Sequence, residues 1–230
     1  MTLKIIPKKR IRRNYGCKGN TTIIGENIGW GGMQLQFWSN KMGREEGYTM
    51  REAWDLATIP GSIVHAMIEA FLTIGKWTDM VDFEYTAVDV ALAENSFANF
   101  LEWWKQNEFT PVAVEPQLIW KGKVNGRDYK YGTTPDLLAE SNRGLAMLDW
   151  KSGKIYPKTL VQLAAGQKAW ELNHSDQPIE GGFHIARIPR NDESLSFHHS
   201  FWDKLPGEAW EAFEHALRMN EIEPILKTYL

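Results

Sequence analysis

Residues 135–151 read PDLLAESNRGLAMLDWK. Leu145-Ala146-Met147-Leu148-Asp149-Trp150 is an apolar run of strand length, the pattern of a strand covered on both faces. Ser141-Asn142-Arg143-Gly144 before it is a turn, and Asp136 to Glu140 continues the preceding strand or forms a short neighbour. Asp136 and Asp149 stand at the edges of these neighbouring strands, and on antiparallel neighbours they can point into one site. Lys151 follows Asp149 by two residues and so points to the same side of an extended strand.

Upstream, Val112 to Trp120 alternates as a single strand, with Glu115 on the face opposite the valines. Residues 122–126 form a hairpin turn, and Arg127 to Gly132 is the returning strand. Downstream, Ser152-Gly153 ends the apolar strand, and Pro157 to Asn173 is a helix on which Gln162, Gly166 and Trp170 share a face. Gly181–Ile188 and Leu195–His199 read as two more strands, and Asp203 to about Asn220 as a closing amphipathic helix.

The N-terminal half reads as helices. Residues 14–32 are loop with a short strand at Thr21–Ile24. Gln34–Met42 is a helix ended by Gly43. Thr49 and Glu52 form a capping box for a helix to about Thr58, which Pro60 breaks and restarts. The next helix, Gly61 to Ile74, carries an apolar stripe with His65 off its centre; a lone histidine there reads as a packed or surface residue. Val88–Trp104 is a further helix. The whole predicts one α/β domain over residues 1–230, a central mixed sheet flanked by helices, with residues 112–170 as its functional core.

Composition narrows the class. The single cysteine, Cys17, excludes an internal disulfide framework and a four-cysteine zinc or iron–sulfur site. No uninterrupted apolar run approaches a membrane span, and no signal-peptide core opens the chain, so the expectation is a cytoplasmic protein with no membrane partner. Gly29-Trp30-Gly31-Gly32 lacks the spacing of a nucleotide-binding loop. Net charge is −3, yet residues 1–18 hold seven Lys and Arg and no acid, which leaves −10 on the rest. Lys8, Lys9, Arg10, Arg12 and Arg13 are the heart of this basic arm, a segment suited to lie on phosphates.

The acids and the lysine suggest a chemistry. Two adjacent carboxylates repel, and a divalent cation removes the conflict; oxygen ligands suit Mg²⁺ or Mn²⁺. The backbone carbonyl of Trp150 can add a third oxygen. An ammonium beside a metal-bound water and a phosphate orients the water and stabilises developing charge, a set suited to phosphodiester hydrolysis.

Pro135-Asp136 followed by Asp149-Trp150-Lys151 resembles the signature of the PD-(D/E)XK nuclease superfamily. The flanking Gly61-Ser62-Ile63-Val64-His65, Gln162-Leu163-Ala164-Ala165 and Trp38–Gly43 segments are similar to its RecB-type, phage-like exonuclease branch. The resemblance covers residues 34–170. It implies a restriction-endonuclease-like core and a DNA exonuclease of recombination, repair or phage DNA processing in a phage-infected or bacterial cell, with a structure-specific or restriction-like endonuclease on the same site, or a catalytically silent DNA-binding subunit, as alternatives. Asp136, Asp149, His65 and the Trp150 carbonyl would hold the metal, and Glu115 would serve a second metal or its water. Lys151 would position the attacking water, and Gln162 would orient the lysine or the DNA end. DNA is the implied partner, with a single-strand annealing or other recombination protein and a homo-oligomer as further ones. The iron–sulfur cysteines of some members are missing, so that cofactor is not expected. The branch usually carries an aromatic four residues after the glutamine, where this chain has Gly166.

Overall fold

The structure is a computed structural model. It describes residues 15–30, 32–76, 85–190 and 196–230, and of 4–6 and 82–84 the backbone alone. Lys8, Lys9, Arg10, Arg12 and Arg13 lie outside the described residues.

Strands β3 (Thr110–Val114), β6 (Leu137–Ser141), β7 (Gly144–Lys151), β8 (Gly182–Arg187) and β9 (His198–Trp202) form a five-stranded mixed sheet in the order β3-β6-β7-β8-β9. Only β7 and β8 run parallel. A parallel pair needs a long crossover, which helix α5 (Lys158–Asn173) supplies. Strands β4 (Leu118–Val124) and β5 (Arg127–Thr133) make a separate hairpin, and β1 (Lys4–Ile6) pairs with β2 (Asp82–Glu84). The β4–β5 turn is Asn125-Gly126, both at positive φ, as a two-residue hairpin of this hand demands.

Alternation along the strands divides the core in two. Leu138, Leu145, Met147, Phe183 and Ile185 face α5, the β4–β5 hairpin and helix α6 (Gly207–Lys227). Leu137, Ala139, Ala146, Leu148, Trp150 and Ala186 face helices α3 (Met50–Ile74) and α4 (Ala87–Gln106). The central strand is thus covered on both sides, as its unbroken apolar run predicts. Helices α1 (Asn20–Asn27) and α2 (Gly32–Glu45) complete the helical N-terminal half.

Local expectations change in five places. Thr21–Ile24 is helical within α1: Ile23 and Ile24 are both buried, which adjacent strand residues with one covered face cannot be. Helix α2 runs through Gly43. Pro60 sits inside a continuous α3, which opens on the predicted Thr49–Glu52 capping box. An internal proline costs about 3 kcal/mol, and the buried stripe of Ile63, Val64, Met67 and Ile68 on its C-terminal side offsets it. The expected strand 112–120 is broken at Glu115, whose φ of 45° ends β3 and lets β4 leave the main sheet. The last strand and helix lie a few residues later than expected. At 25 residues α3 has the length and apolar composition of a membrane span, but its apolar stripe packs on the sheet as core.

A histidine pair closes the α4 face at the far end of the sheet. His184 Nδ1 and His199 Nε2 are 2.9 Å apart, and His184 Nε2 lies 3.4 Å from the Gly181 carbonyl. Phe109 meets His184 edge-on and Phe201 lies tilted against it. Burial, with His199 and Arg143 adding to it, pushes the His184 pKa from 6.5 down to about 4, and burial lowers His199 as well. The unfolded chain therefore takes up protons near pH 6.5 that the folded chain refuses until near pH 4. Stability is complete above the first value and is lost progressively toward the second. Urea unfolding across that window should show a loss on the order of 2 kcal/mol, and a His184→Phe variant should show a visibly flatter profile. Equal pH dependence in both proteins would contradict this assignment.

Candidate metal centre at the end of β7

The register Leu137↔Leu148 places Asp136, just ahead of β6, beside Asp149. Glu115 joins them because its N–H donates to the Asp136 carbonyl at 3.0 Å. Its positive φ, which costs a non-glycine residue about 1 kcal/mol or more, occurs where a carboxylate is being aimed. His65 reaches the same place from α3. Donor atoms of His65, Glu115 and Asp136 all lie within 4.8 Å of one another.

Asp149 is 3% exposed. Its Oδ1 accepts from Lys151 Nζ at 2.8 Å, while its Oδ2 is buried without a hydrogen-bond partner. Burial raises the Asp149 pKa to about 6, against the pull of Lys151 and with help from Asp136. Burial alone would lower Lys151, but Asp149 and Asp136 outweigh it and hold the ammonium above the ordinary lysine value.

Trp150 has two roles here, of which the sequence pointed to neither. Its backbone N–H donates to Asp136 Oδ2 at 3.2 Å. The N–H and C=O of one strand residue point to the same side, so its carbonyl faces the same edge of β7, as a metal-ligand role requires. Its indole points to the opposite face and donates to His65 Nδ1 at 3.2 Å. Indole nitrogen only donates, so His65 Nδ1 is the acceptor of this bond. That Nδ1 lies 3.8 Å from Asp136 Oδ1. Three carboxylates thus lie near the Lys151 ammonium and the His65 imidazole. The donors fit a divalent cation in type and through the buried unpartnered oxygen of Asp149.

Gln162 stands half-buried on α5, where its backbone carbonyl accepts from Asn20 Nδ2 at 3.5 Å. Gly166 has a clear structural reason. A Cβ there would lie 3.3 Å from both Met147 Sδ and Pro135 Cγ. The α5 backbone packs directly on β7 and on the residue preceding Asp136, and an aromatic side chain has no room. Tyr131 reaches α5 from β5 instead, its hydroxyl donating to the Ala165 carbonyl at 2.8 Å.

No family model matches the chain, and no curated protein does. Among solved structures it is similar to the crystal structure of SSO0001, at 13% identity and a TM-score of 0.42, over 82% of this chain and 69% of that one. That likeness is too distant to bear on function.

Mutual repulsion among the carboxylates has a thermodynamic consequence. In EDTA, Asp136→Asn should melt several degrees above the wild type, corresponding to about 1 kcal/mol, because one like charge is gone. Differential scanning fluorimetry measures this. A lower melting temperature than wild type would mean that the carboxylates are structurally paired and not in conflict.

Proposed function

We propose that this chain is a divalent-metal-dependent nuclease of the PD-(D/E)XK type that hydrolyses DNA phosphodiester bonds from an end. The observation that carries the reading is the group of His65, Glu115 and Asp136, whose donor atoms lie within 4.8 Å of one another, with the buried Asp149–Lys151 pair beside Asp136. His65, Asp136, Glu115, Asp149 and the Trp150 carbonyl are the residues that would hold Mg²⁺ or Mn²⁺. A bound divalent cation lowers the pKa of water and neutralises a phosphate oxygen.

The protein's own part is positioning and charge. Lys151, tied to Asp149 at 2.8 Å and one-quarter exposed, presents its ammonium at the rim of the cluster. It is placed to hold a water or a non-bridging phosphate oxygen in line, and it stabilises the charge that builds on the phosphorus centre. The Trp150 indole orients the His65 ring.

A nucleic-acid substrate accounts for the charge asymmetry. The described chain resumes at Tyr15, whose ring lies on Gly132 and whose hydroxyl is hydrogen-bonded to Thr134, two residues before Asp136. The basic segment before Tyr15 therefore joins the fold next to the carboxylates. Such an arm contributes counterion release on a polyanion.

End-labelled linear duplex and closed circular DNA, incubated with Mg²⁺ or Mn²⁺ and with EDTA, test the reading. The expected result is stepwise loss of the linear substrate with metal only. Lys151→Ala should lower the rate at least about 100-fold while DNA affinity changes less than about threefold. Cutting of closed circles would replace the exonuclease with an endonuclease. No cleavage of any nucleic acid in either metal would sink the nuclease reading.

A further inference from the structure

Arg190 lies outside every sequence motif noted above. It follows β8 by three residues, at the same end of the sheet as Lys151, since Ile188 N–H donates to the Lys151 carbonyl at 2.9 Å. Its Nε and Nη2 donate to one acceptor, Ser152 Oγ, at 3.3 and 3.1 Å. The guanidinium is half-buried and its pKa is lowered by burial, with no carboxylate to relieve it among the described residues. Three of its five N–H groups, both on Nη1 and one on Nη2, have no acceptor there. Buried guanidinium is ordinarily retained against carboxylate or phosphate, whose paired oxygens match its fork.

The surroundings hold the group in place. A Cβ on Gly61 would lie 2.9 Å from Ser152 Oγ and 3.5 Å from Arg190 Nη2, so only glycine admits both. Ser152 directly follows Lys151. Asn99 Nδ2 donates to the Pro189 carbonyl at 3.4 Å and anchors the residue before Arg190. Gly61 and His65 share a face of α3, four residues or about 6 Å apart. Arg190 is therefore offset from the metal centre by roughly one helical turn, on the order of one internucleotide step.

We propose that Arg190, oriented by Ser152 over Gly61, grips a backbone phosphate of the substrate strand adjoining the phosphate that is cleaved. This rests on the nuclease reading and adds a substrate-binding residue to it. The unmet N–H groups would take the two non-bridging oxygens of that phosphate. The contact holds the strand in register while Lys151 and the carboxylates act one step away.

The test uses linear duplex oligonucleotides, each carrying a single neutral methylphosphonate, bound in Ca²⁺ and cleaved in Mn²⁺. Wild type should weaken about tenfold at one position within two steps of the cleaved bond. Arg190→Ala should lose that sensitivity, keep the others, raise KM about tenfold and leave kcat within about twofold. Arg190→Lys should recover part of the loss, and Ser152→Ala should raise KM without restoring it. The salt dependence of binding should become shallower by about one phosphate, roughly 0.9 in log–log slope. The methylphosphonate scan on the wild type needs no variant, so a misfolded Arg190→Ala does not rescue the idea. No sensitive position near the cleaved bond would overturn it, as would an unchanged pattern in a folded Arg190→Ala. A wild type that cuts normally under those outcomes loses only the Arg190 contact. A wild type that neither binds nor cuts loses the nuclease reading and this subsite together.

Discussion

Charge at the end of β7 is the constraint to which the surrounding structure answers. Asp136 and Glu115 converge there with His65, and Asp149 beside Asp136 is bonded to Lys151. Unrelieved, such a group costs stability, and the buried unpartnered oxygen of Asp149 makes the cost concrete. The backbone shares the burden. Glu115 is held at positive φ, and the Trp150 N–H is diverted to Asp136 at the edge of the ladder. Local conflict of this kind, supported by a well-packed frame, is the pattern expected of a working site.

The frame is rigid because β7 is buried on both faces. Phe100 stacks against Trp150 on the α4 side, and Met147 meets the bare backbone of α5 at Gly166 on the other. Close approach at Gly166 presses Pro135, and with it Asp136, against the sheet end. Glycine therefore serves packing at the position where the sequence resemblance led to the expectation of an aromatic. Trp150 joins the two faces: its main chain serves Asp136, and its indole reaches through to His65 on α3.

Much of this was legible in the sequence. The apolar run Leu145–Leu148 leading into Asp149 announces a buried strand, and the short turn before it fixes the antiparallel neighbour that brings Asp136 alongside. The spacing of Asp149 and Lys151 by two is enough to put both on one side. Residues held by tertiary geometry were harder to read. Alternation from Val112 to Trp120 conceals the break at Glu115, because a positive φ at a glutamate leaves no compositional trace. Pro60 looks like a helix break, yet the packing of Ile63, Val64 and Met67 carries α3 straight through it. His65 on an apolar helix is chemically silent until the indole of Trp150 and the carboxylate of Asp136 are placed beside it. Arg190 has no motif at all, and only its partial burial, without a counter-charge among the described residues, singles it out.

The central claim is that this cluster binds a divalent cation, and calorimetric titration of the metal-stripped protein with Mn²⁺ tests it most directly. The expected result is saturable, near-stoichiometric binding in the micromolar to low-millimolar range that disappears in Asp149→Ala, whose fold is checked by circular dichroism. Absence of saturable binding to the wild type, or binding unchanged by that substitution, would contradict it.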